Sequence, residues 1–271
     1  MEFGNAKAVR QGALVRGQRA RPVAGEHAMT ETFSNVYEDA DRARAYADLD
    51  FPATYYLAFR DLPQLLHKHV GGVRALDFGC GTGRSTRFLR ELGFEVIGVD
   101  VSQAMLDRAR ARDPHGDYRL VRDGALSGLG SAAVDAVLAA FTFDNIPNTE
   151  KTALLRELRR VLAPGGRVLL VVSSAAIYLH EWASFSTRDF PQNHTARDGD
   201  FVRIVMLDVP DRRPVLDVLC GDACYRELFE SVGLCVIEVV SPLATGAESF
   251  QWVSETRISP WTIYILGREG T

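Results

Sequence analysis

The spacing of apolar residues changes along this chain and separates its N-terminal part from its middle. Between Ser34 and Asp48, and again after Pro52, apolar residues recur at helical intervals with charged residues between them. The second stretch is interrupted or restarted near Pro63, because a proline inside a helical pattern ends or kinks the helix. This part of the chain predicts helices that precede the first strand.

From residue 73 onward, short apolar runs alternate with longer amphipathic segments. The pattern predicts strands at residues 73–78, 95–99, 118–121, 134–140 and 167–173, with helices at 84–92, 102–112 and 149–162. Strands that alternate with helices in this way favour right-handed crossovers and a parallel sheet covered on both faces. The runs VLAA and VLLVV, in the fourth and fifth strands, are typical of strands buried on both faces.

The alternation loosens after Ser174. Two strands about a turn at residues 211–214 are predicted within residues 201–220, followed by a helix at 222–232 and strands at 234–240 and 262–266. The sheet is therefore interrupted by an insertion between its fifth strand and its last helix. We expect a substrate-specific lid in this insertion.

Composition limits the classes of partner. The chain has 271 residues, of which 46% are hydrophobic, and its net charge is −4. Without a general basic field, we expect no nucleic-acid partner and no anionic membrane surface. No run of about eighteen apolar residues predicts a membrane span. Four irregularly spaced cysteines indicate reduced thiols in a cytoplasmic protein rather than a disulfide framework, and we predict no metal site.

We divide the chain into a leader and one domain. Residues 1–28 predict a disordered leader or an upstream alternative start, since they carry five Lys and Arg residues, few apolar residues and no helix or strand periodicity. Without a continuous apolar segment, they do not resemble a secretory signal. Residues 29–271 then form the domain: an N-terminal helical lid (29–70), a ligand-binding core (71–173), a substrate-side insertion (174–220) and the C-terminal end of the sheet (221–271).

A glycine-rich loop follows the first strand in ALDFGCGTGRSTRFL, with glycines at Gly79, Gly81 and Gly83. A dinucleotide-binding fingerprint requires a glycine at position 84, which is Arg84 here. A Walker A loop requires a lysine before Ser85, which this chain lacks. Both common phosphate-binding interpretations are therefore poor.

The spacing D-x-G-x-G-x-G resembles motif I of the class I S-adenosylmethionine-dependent methyltransferases. Alternating glycines let the backbone pass close beneath a ligand, and the helix start offers N–H groups to a carboxylate. Asp77 supplies a negative charge for an ammonium or sulfonium group. The resemblance implies a Rossmann-like, doubly wound, mainly parallel seven-stranded α/β sheet with an antiparallel last strand, an N-terminal helical lid and an inserted β-hairpin or loop lid.

Later motifs fit the same family. Asp100 ends the second strand 17 residues after Gly83, where a carboxylate accepts the hydroxyls of a ribose or else caps the next helix. The resemblance assigns adenine contacts to the residues after Asp100 and Arg122, and contacts to the methionine part to those after the fourth strand. The predicted cofactor-binding residues are Tyr37, Asp77, Gly79, Cys80, Gly81, Thr82, Gly83, Asp100, Val101, Met105, Asp123, Gly124, Ala125, Phe141 and Thr142.

The predicted reaction is in-line methyl transfer from S-adenosyl-L-methionine to an O or N atom of an apolar small-molecule metabolite, with S-adenosyl-L-homocysteine as product. Natural-product tailoring is the expected setting, and the protein is expected to be a monomer or a homodimer. Candidate general bases are Asp144, His180 and His194. Candidate substrate contacts are Tyr55, Tyr56, Phe143, Asn145, Tyr178 and Trp182, with Phe185 as a further lining residue. Transfer to carbon, a non-methylating binder such as a cyclase and, least favoured, an RNA methyltransferase remain open.

Overall fold

The computed structural model describes residues 52–122 and 125–270. Its α-helices are α1 (Thr54–Arg60), α2 (Leu62–His69), α3 (Arg84–Glu91), α4 (Gln103–Arg112), α5 (Asn148–Val161) and α6 (Asp222–Ser231). Its strands are β1 (Arg74–Phe78), β2 (Glu95–Asp100), β3 (Asp117–Leu120), β4 (Val134–Ala140), β5 (Leu162–Ser173), β6 (Phe185–Ser186), β7 (Phe201–Met206), β8 (Val215–Val218), β9 (Leu234–Val240) and β10 (Trp261–Arg268). Short 3-10 helices cover Ala175–Tyr178 and Pro191–Thr195. The helix predicted between Ser34 and Asp48 lies outside the described residues.

Seven strands form the main sheet in the order β3-β2-β1-β4-β5-β10-β9. The pairs β2–β3, β1–β2, β1–β4 and β4–β5 are parallel, whereas β10 runs antiparallel to both β5 and β9. The predicted fold class is therefore confirmed. A separate three-stranded antiparallel sheet, β6-β7-β8, occupies the predicted insertion. The lid roles of the insertion and of the N-terminal helices stay predictions.

Two apolar cores cover the two faces of the sheet, and β5 contributes alternately to both. Leu169 and Val171 pack in the core that contains α1, α2 and β7. Val168, Leu170 and Val172 pack in the other core, with α5 and α6. Since successive side chains of a strand point to opposite faces, a run without polar residues is what this strand requires.

The structure refines several predicted boundaries. Pro63 lies in the first turn of α2, where its missing N–H costs no helical hydrogen bond, so the interrupted helix is two helices. Strand β5 begins at Leu162 instead of residue 167, because Leu162 already pairs with Val134 across an irregularity in the ladder. Strand β6 pairs with β7. With only two residues, β6 is too short to be predicted from the spacing of apolar residues. No helix among the described residues has the length and apolar character needed to cross a membrane.

Candidate functional site

The glycine loop connects β1 to α3 and is tightly packed on one side only. Gly79, Gly81 and Gly83 have φ values of 76°, 52° and 76°. Residues with a side chain rarely adopt this region of φ. A Cβ on Gly79 would collide with the Thr142 side chain, and one on Gly83 would collide with the Tyr118 ring. A Cβ on Gly81 would meet no atom within 4 Å. The backbone at Gly81 therefore borders open space of the kind a bound ligand fills.

Asp77 lies beneath this loop in β1 and is fully buried. Its Oδ2 accepts hydrogen bonds from Ser85 Oγ at 2.7 Å and Thr86 Oγ1 at 2.6 Å, both at the start of α3. Its Oδ1 has no hydrogen-bond partner among the described residues. Burial raises the pKa of Asp77 to about 6, against the opposing effect of the two hydroxyls. A buried carboxylate oxygen without a donor is costly, so this atom fits an amino group of a ligand.

Asp100 ties the end of β2 to the glycine loop. Its Oδ2 accepts the Gly81 N–H at 2.8 Å and its Oδ1 accepts the Ser102 N–H at 2.8 Å. Burial raises the pKa of Asp100, and these backbone hydrogen bonds oppose the rise. The N-cap of α4 is Ser102, whose Oγ accepts the Met105 N–H at 3.3 Å. Each carboxylate oxygen of Asp100 keeps a lone pair for a further donor, as the ribose prediction requires.

The remaining predicted cofactor residues differ in their contacts, backbone geometry and burial. Thr142 Oγ1 donates a hydrogen bond to the Phe78 carbonyl at 2.9 Å, which holds the end of β4 against the end of β1. Phe141 has a φ of 60°, uncommon for a residue with a side chain. Cys80, Thr82 and Met105 are buried, whereas Val101 and Ala125 are exposed. Tyr37, Asp123 and Gly124 lie outside the described residues, and the cofactor role of every residue in the set stays a prediction.

A cavity of about 50 Å³, here called the Asp144 pocket, lies between the carboxyl edge of the main sheet and the three-stranded sheet. Its lining includes Tyr55, Phe141, Asp144, Asn145, Ser173, Ile177, Phe185, Ile204, Met206, Val215, Asp217 and Trp261. The Asp144 side chain accepts the Ser173 N–H at 2.9 Å, and its carbonyl accepts the Val218 N–H at 2.7 Å. Asp144 therefore joins the two sheets at the pocket.

Asp217 is the principal residue that the sequence reasoning missed. It lies in β8, and its Oδ2 accepts a hydrogen bond from the buried Tyr178 hydroxyl at 3.0 Å. Burial, and next the charge of Asp144, raise the pKa of Asp217 to about 7. Burial raises the pKa of Asp144 to about 6, opposed by the Ser173 N–H and the charge of Lys151. The available sequence signal was an acid at an inward-facing position of a strand, among Val215 and Val218.

Four aromatic rings form one wall of the Asp144 pocket: Tyr55, Phe141, Phe185 and Trp261. The ring centroids of Phe141 and Trp261 are 4.6 Å apart, and those of Tyr55 and Phe185 are 4.9 Å apart. Tyr55 also lies 5.5 Å from Phe141, edge to face. We refer to these four residues as the aromatic wall. Trp261 was not predicted, since it begins the last strand, far in sequence from the other three.

The structure does not bring the other predicted catalytic and substrate residues to this pocket. His180 and His194 are exposed, and neither lines it. Trp182 is buried and donates a hydrogen bond to the Ile177 carbonyl at 2.8 Å. Phe143 is buried in the core beneath the sheet, and Tyr56 packs against a ring in the C-terminal loop. Their proposed functions stay predictions, and Tyr178 reaches the pocket only through Asp217.

The described residues contain no group of three or more His, Cys, Asp or Glu side chains able to hold a metal ion. Cys220 and Cys224 lie at the start of α6 with their sulfur atoms 3.0 Å apart, and both are free thiols. Burial raises the pKa of Cys220.

Comparison with known proteins supports the resemblance stated from the motifs. Residues 76–170 match a family described as a methyltransferase domain. The matched segment runs from β1 into β5 and contains the glycine loop, Asp100 and Asp144. The predicted resemblance to class I S-adenosylmethionine-dependent methyltransferases is confirmed, and S-adenosylmethionine is the cofactor that it implies.

Curated relatives match about half of the chain. The chain is 32% identical over 142 residues to an N-demethylindolmycin N-methyltransferase of Streptomyces griseus, covering 51% of this chain and 60% of that protein. It is 33% identical over 142 residues to a ubiquinone/menaquinone biosynthesis C-methyltransferase of Idiomarina loihiensis, covering 48% of this chain and 56% of that protein. The chain thus spans less than two thirds of either relative.

Solved structures share the fold over more of the chain. The CcbJ methyltransferase of Streptomyces caelestis has a TM-score of 0.60 and 20% identity, covering 84% of this chain and 96% of that one. An S-adenosylmethionine-dependent methyltransferase of Mesorhizobium loti has a TM-score of 0.55 and 20% identity, covering 78% of this chain and 98% of that one. At these identities, the likeness shows the fold.

Proposed function

Because residues 76–170 carry a methyltransferase domain, we propose that this chain transfers a methyl group from S-adenosylmethionine to an O or N atom of an apolar small molecule. One observation supports this proposal most directly. Thr142 packs against Gly79 of the glycine loop, and its neighbour Phe141 lines the Asp144 pocket. The predicted cofactor loop and a pocket for an acceptor therefore adjoin at two consecutive residues.

The residues around the loop suit the groups of this cofactor. We assign the amino group to Asp77 Oδ1, which has no other donor among the described residues, and the ribose hydroxyls to Asp100. We assign the carboxylate to the N–H groups at the start of α3. When bound, S-adenosylmethionine supplies a methyl group on a positively charged sulfur. A carboxylate beneath the loop favours such a cation through its charge.

In this proposal the protein acts mainly by alignment and by exclusion of water. Holding an acceptor in line with a reacting group removes much of the entropic barrier, with effective molarities of about 10⁵ M or more. The aromatic wall gives the Asp144 pocket an apolar side, and exclusion of water by a bound acceptor would strengthen the electrostatic interactions inside it. Asp144 is the predicted base that lies in the pocket, and a positioned base contributes about 10²-fold or more.

The names of the two curated relatives support a small-molecule acceptor, and they name transfer to nitrogen in one protein and to carbon in the other. Transfer to carbon is therefore the second candidate, in place of transfer to oxygen or nitrogen. We also propose a cytoplasmic location, on the basis of the four free cysteines.

Calorimetry with S-adenosylmethionine tests the proposal. We expect binding by the unaltered protein, and Asp100→Ala weakens it at least tenfold. Incubation with candidate acceptors and a labelled methyl donor then separates a methyltransferase from a protein that binds the cofactor without transferring the methyl group. Failure of the unaltered protein to bind S-adenosylmethionine or S-adenosylhomocysteine would overturn the proposal, and labelling of RNA alone would rule out the small-molecule acceptor.

A further inference from the structure

The buried charges around the Asp144 pocket do not balance. Asp144 and Asp217 are each 7% exposed, and Lys151 on α5 is fully buried. Lys151 Nζ donates a hydrogen bond to Asn148 Oδ1 at 2.8 Å and lies 5.2 Å from the Tyr225 ring centroid. With all three groups ionised, two negative charges face one positive charge. One additional positive charge, a proton or a bound cation, makes the cluster neutral.

Asp217 has an oxygen atom available to a ligand. From the described residues it accepts a single hydrogen bond, that of Tyr178 at Oδ2, so its Oδ1 has no donor. The side chain lines the pocket and is more than nine-tenths buried, so water does not solvate it freely. An ionised carboxylate in such a place is costly unless a donor with positive charge reaches it.

The pocket also selects the kind of cation. The aromatic wall faces the same cavity as the two carboxylates. Ring faces attract cations, most strongly where water is excluded, and ring edges pack against apolar groups. Inorganic ions require several oxygen ligands, and the described residues contain no group of three or more His, Cys, Asp or Glu side chains able to hold one. Besides its two carboxylates, the pocket is lined by the polar residues Asn145 and Ser173 and otherwise by rings and aliphatic side chains. An organic ammonium group on an apolar body matches both surfaces.

On the premise of the proposed methyltransferase function, we propose that the Asp144 pocket binds a protonated primary or secondary amine, and that Asp144 and Asp217 receive it as a pair. The nitrogen of this amine is then the methyl acceptor. Phe141 lines the pocket and precedes Thr142, which packs against Gly79, so the pocket that receives this nitrogen adjoins the glycine loop. Asp217 is a substrate-binding residue in this scheme.

The step assigned to the pair is a proton transfer. An N–H bond of the ammonium breaks, an O–H bond forms on one of the two carboxylates, and the electron pair stays on nitrogen. A neutral amine with a free electron pair results, which is the form able to act as a nucleophile. The Tyr178 hydroxyl remains neutral, since burial raises its pKa well above the ordinary value.

A proton and the ammonium group of the ligand compete for the negative charge of the Asp144 and Asp217 carboxylates. The pKa of Asp144 is raised to about 6 and that of Asp217 to about 7, so the pair holds a proton near neutral pH when no cation is bound. Lys151 opposes this rise from α5, and the Ser173 N–H opposes it from β5. The Tyr178 hydroxyl, in the 3-10 helix at Ala175–Tyr178, opposes the rise in the pKa of Asp217 through its hydrogen bond. Binding of an ammonium group at pH 6 therefore releases a proton to the solvent.

Calorimetry on the full chain saturated with S-adenosylhomocysteine tests this inference without relying on turnover. The probes are phenethylamine and 2-phenylethanol, which have the same carbon skeleton and differ in charge at neutral pH. We expect the amine to bind at least tenfold more tightly than the alcohol. Repeating the titration at pH 6 in buffers of different ionisation heat gives the number of protons released, expected to approach one.

Variants test the residues. Asp217→Asn and Asp144→Asn are each expected to weaken phenethylamine binding at least tenfold and to leave 2-phenylethanol binding unchanged. Asp107→Asn, at a surface carboxylate that is 65% exposed on α4, is the matched control and should change neither. Unchanged affinity for S-adenosylhomocysteine shows that a variant is folded.

Equal affinity of the unaltered protein for the two probes would overturn the inference, and this comparison needs no variant. Unchanged amine binding in folded Asp217→Asn would overturn it as well. Failure of S-adenosylhomocysteine to bind the unaltered protein counts instead against the proposed function, so the two failures are distinguishable.

Discussion

Tyr178 donates a hydrogen bond to Asp217 Oδ2 across 3.0 Å, and both side chains are buried. The donor comes from the 3-10 helix that follows β5, and the acceptor comes from β8 of the three-stranded sheet. This contact positions a carboxylate that the main sheet does not carry, and it favours the ionised form against the effect of burial. The insertion thus supplies one of the two carboxylates of the pocket as well as part of its wall.

Tyr178→Phe is expected to raise the pKa of Asp217 further, because the hydrogen bond that favours its ionised form is lost. The acidic limb of the pH–rate profile then moves to higher pH, and unfolding by urea shows a loss of about 1–3 kcal/mol. Tyr264→Phe is the matched control, since its hydroxyl bonds to Asp222, which lies outside the pocket. A profile shifted equally by both variants would contradict the assignment.

Asp217→Asn is expected to change how stability depends on pH. The pKa of Asp217 is about 7 in the folded protein, above its ordinary value of 3.8, so the folded state favours the protonated form. Its contribution is therefore fully present below pH 3.8 and is lost as pH rises through 7. The free energy of unfolding of the variant should fall less than that of the unaltered protein between pH 4 and 8.

The size of this effect follows from the pKa difference between the folded and unfolded states, since a difference of one corresponds to about 1.4 kcal/mol in the free energy of unfolding. Urea unfolding at three pH values across this window measures it. Asp77 and Asp144 act with the same sign and remain in the variant, so the slope is reduced and not abolished. Parallel curves for the two proteins would show that Asp217 titrates as it does in the unfolded chain.

Gly79→Ala and Gly81→Ala should separate packing from ligand binding. Both positions have positive φ, so each alanine costs about 1–2 kcal/mol from the backbone alone. At residue 79 the methyl group also collides with Thr142, whereas at residue 81 it meets only open space. We expect Gly79→Ala to destabilise the fold more, and Gly81→Ala to retain the fold but to lose S-adenosylhomocysteine affinity. Urea unfolding and calorimetry measure the two effects, and the reverse order of stabilities would be inconsistent with this packing.

Glu255 is expected to be essential for attaching the insertion, at Ala183, to the start of α1, at Thr54. Its Oε1 accepts hydrogen bonds from Thr54 Oγ1 at 2.6 Å and from the Ala183 N–H at 2.8 Å, and its side chain is fully buried. Glu255→Ala removes the acceptor of these buried donors and should cost about 3 kcal/mol or more in urea unfolding. Glu227→Ala, at an exposed position of α6, is the control and should change stability by about 0.5 kcal/mol or less. A similar small effect of both variants would exclude this role for Glu255.

The sequence by itself determined the main sheet, and it predicted the residues on the cofactor side of the site. Strand β4 and strand β9 have the predicted bounds, because the residues within a strand reveal which of its faces are buried. The loop from Gly79 to Gly83 was also recognisable from the sequence, because its glycines, the preceding strand and the following helix are contiguous in the chain.

The tertiary structure alone decided the pocket. Asp217 meets Asp144 only after the insertion folds against the carboxyl edge of the sheet, and Trp261 reaches the pocket because β10 pairs with β5. A single inward-facing acid in β8 gives no periodic signal, and nothing near Trp261 in sequence identifies Phe141 as its neighbour. The spacing of apolar residues within a helix or strand indicates which of its sides is buried. Which buried sides share one cavity depends on long-range packing, and burial and mutual charge then set the protonation of the groups inside.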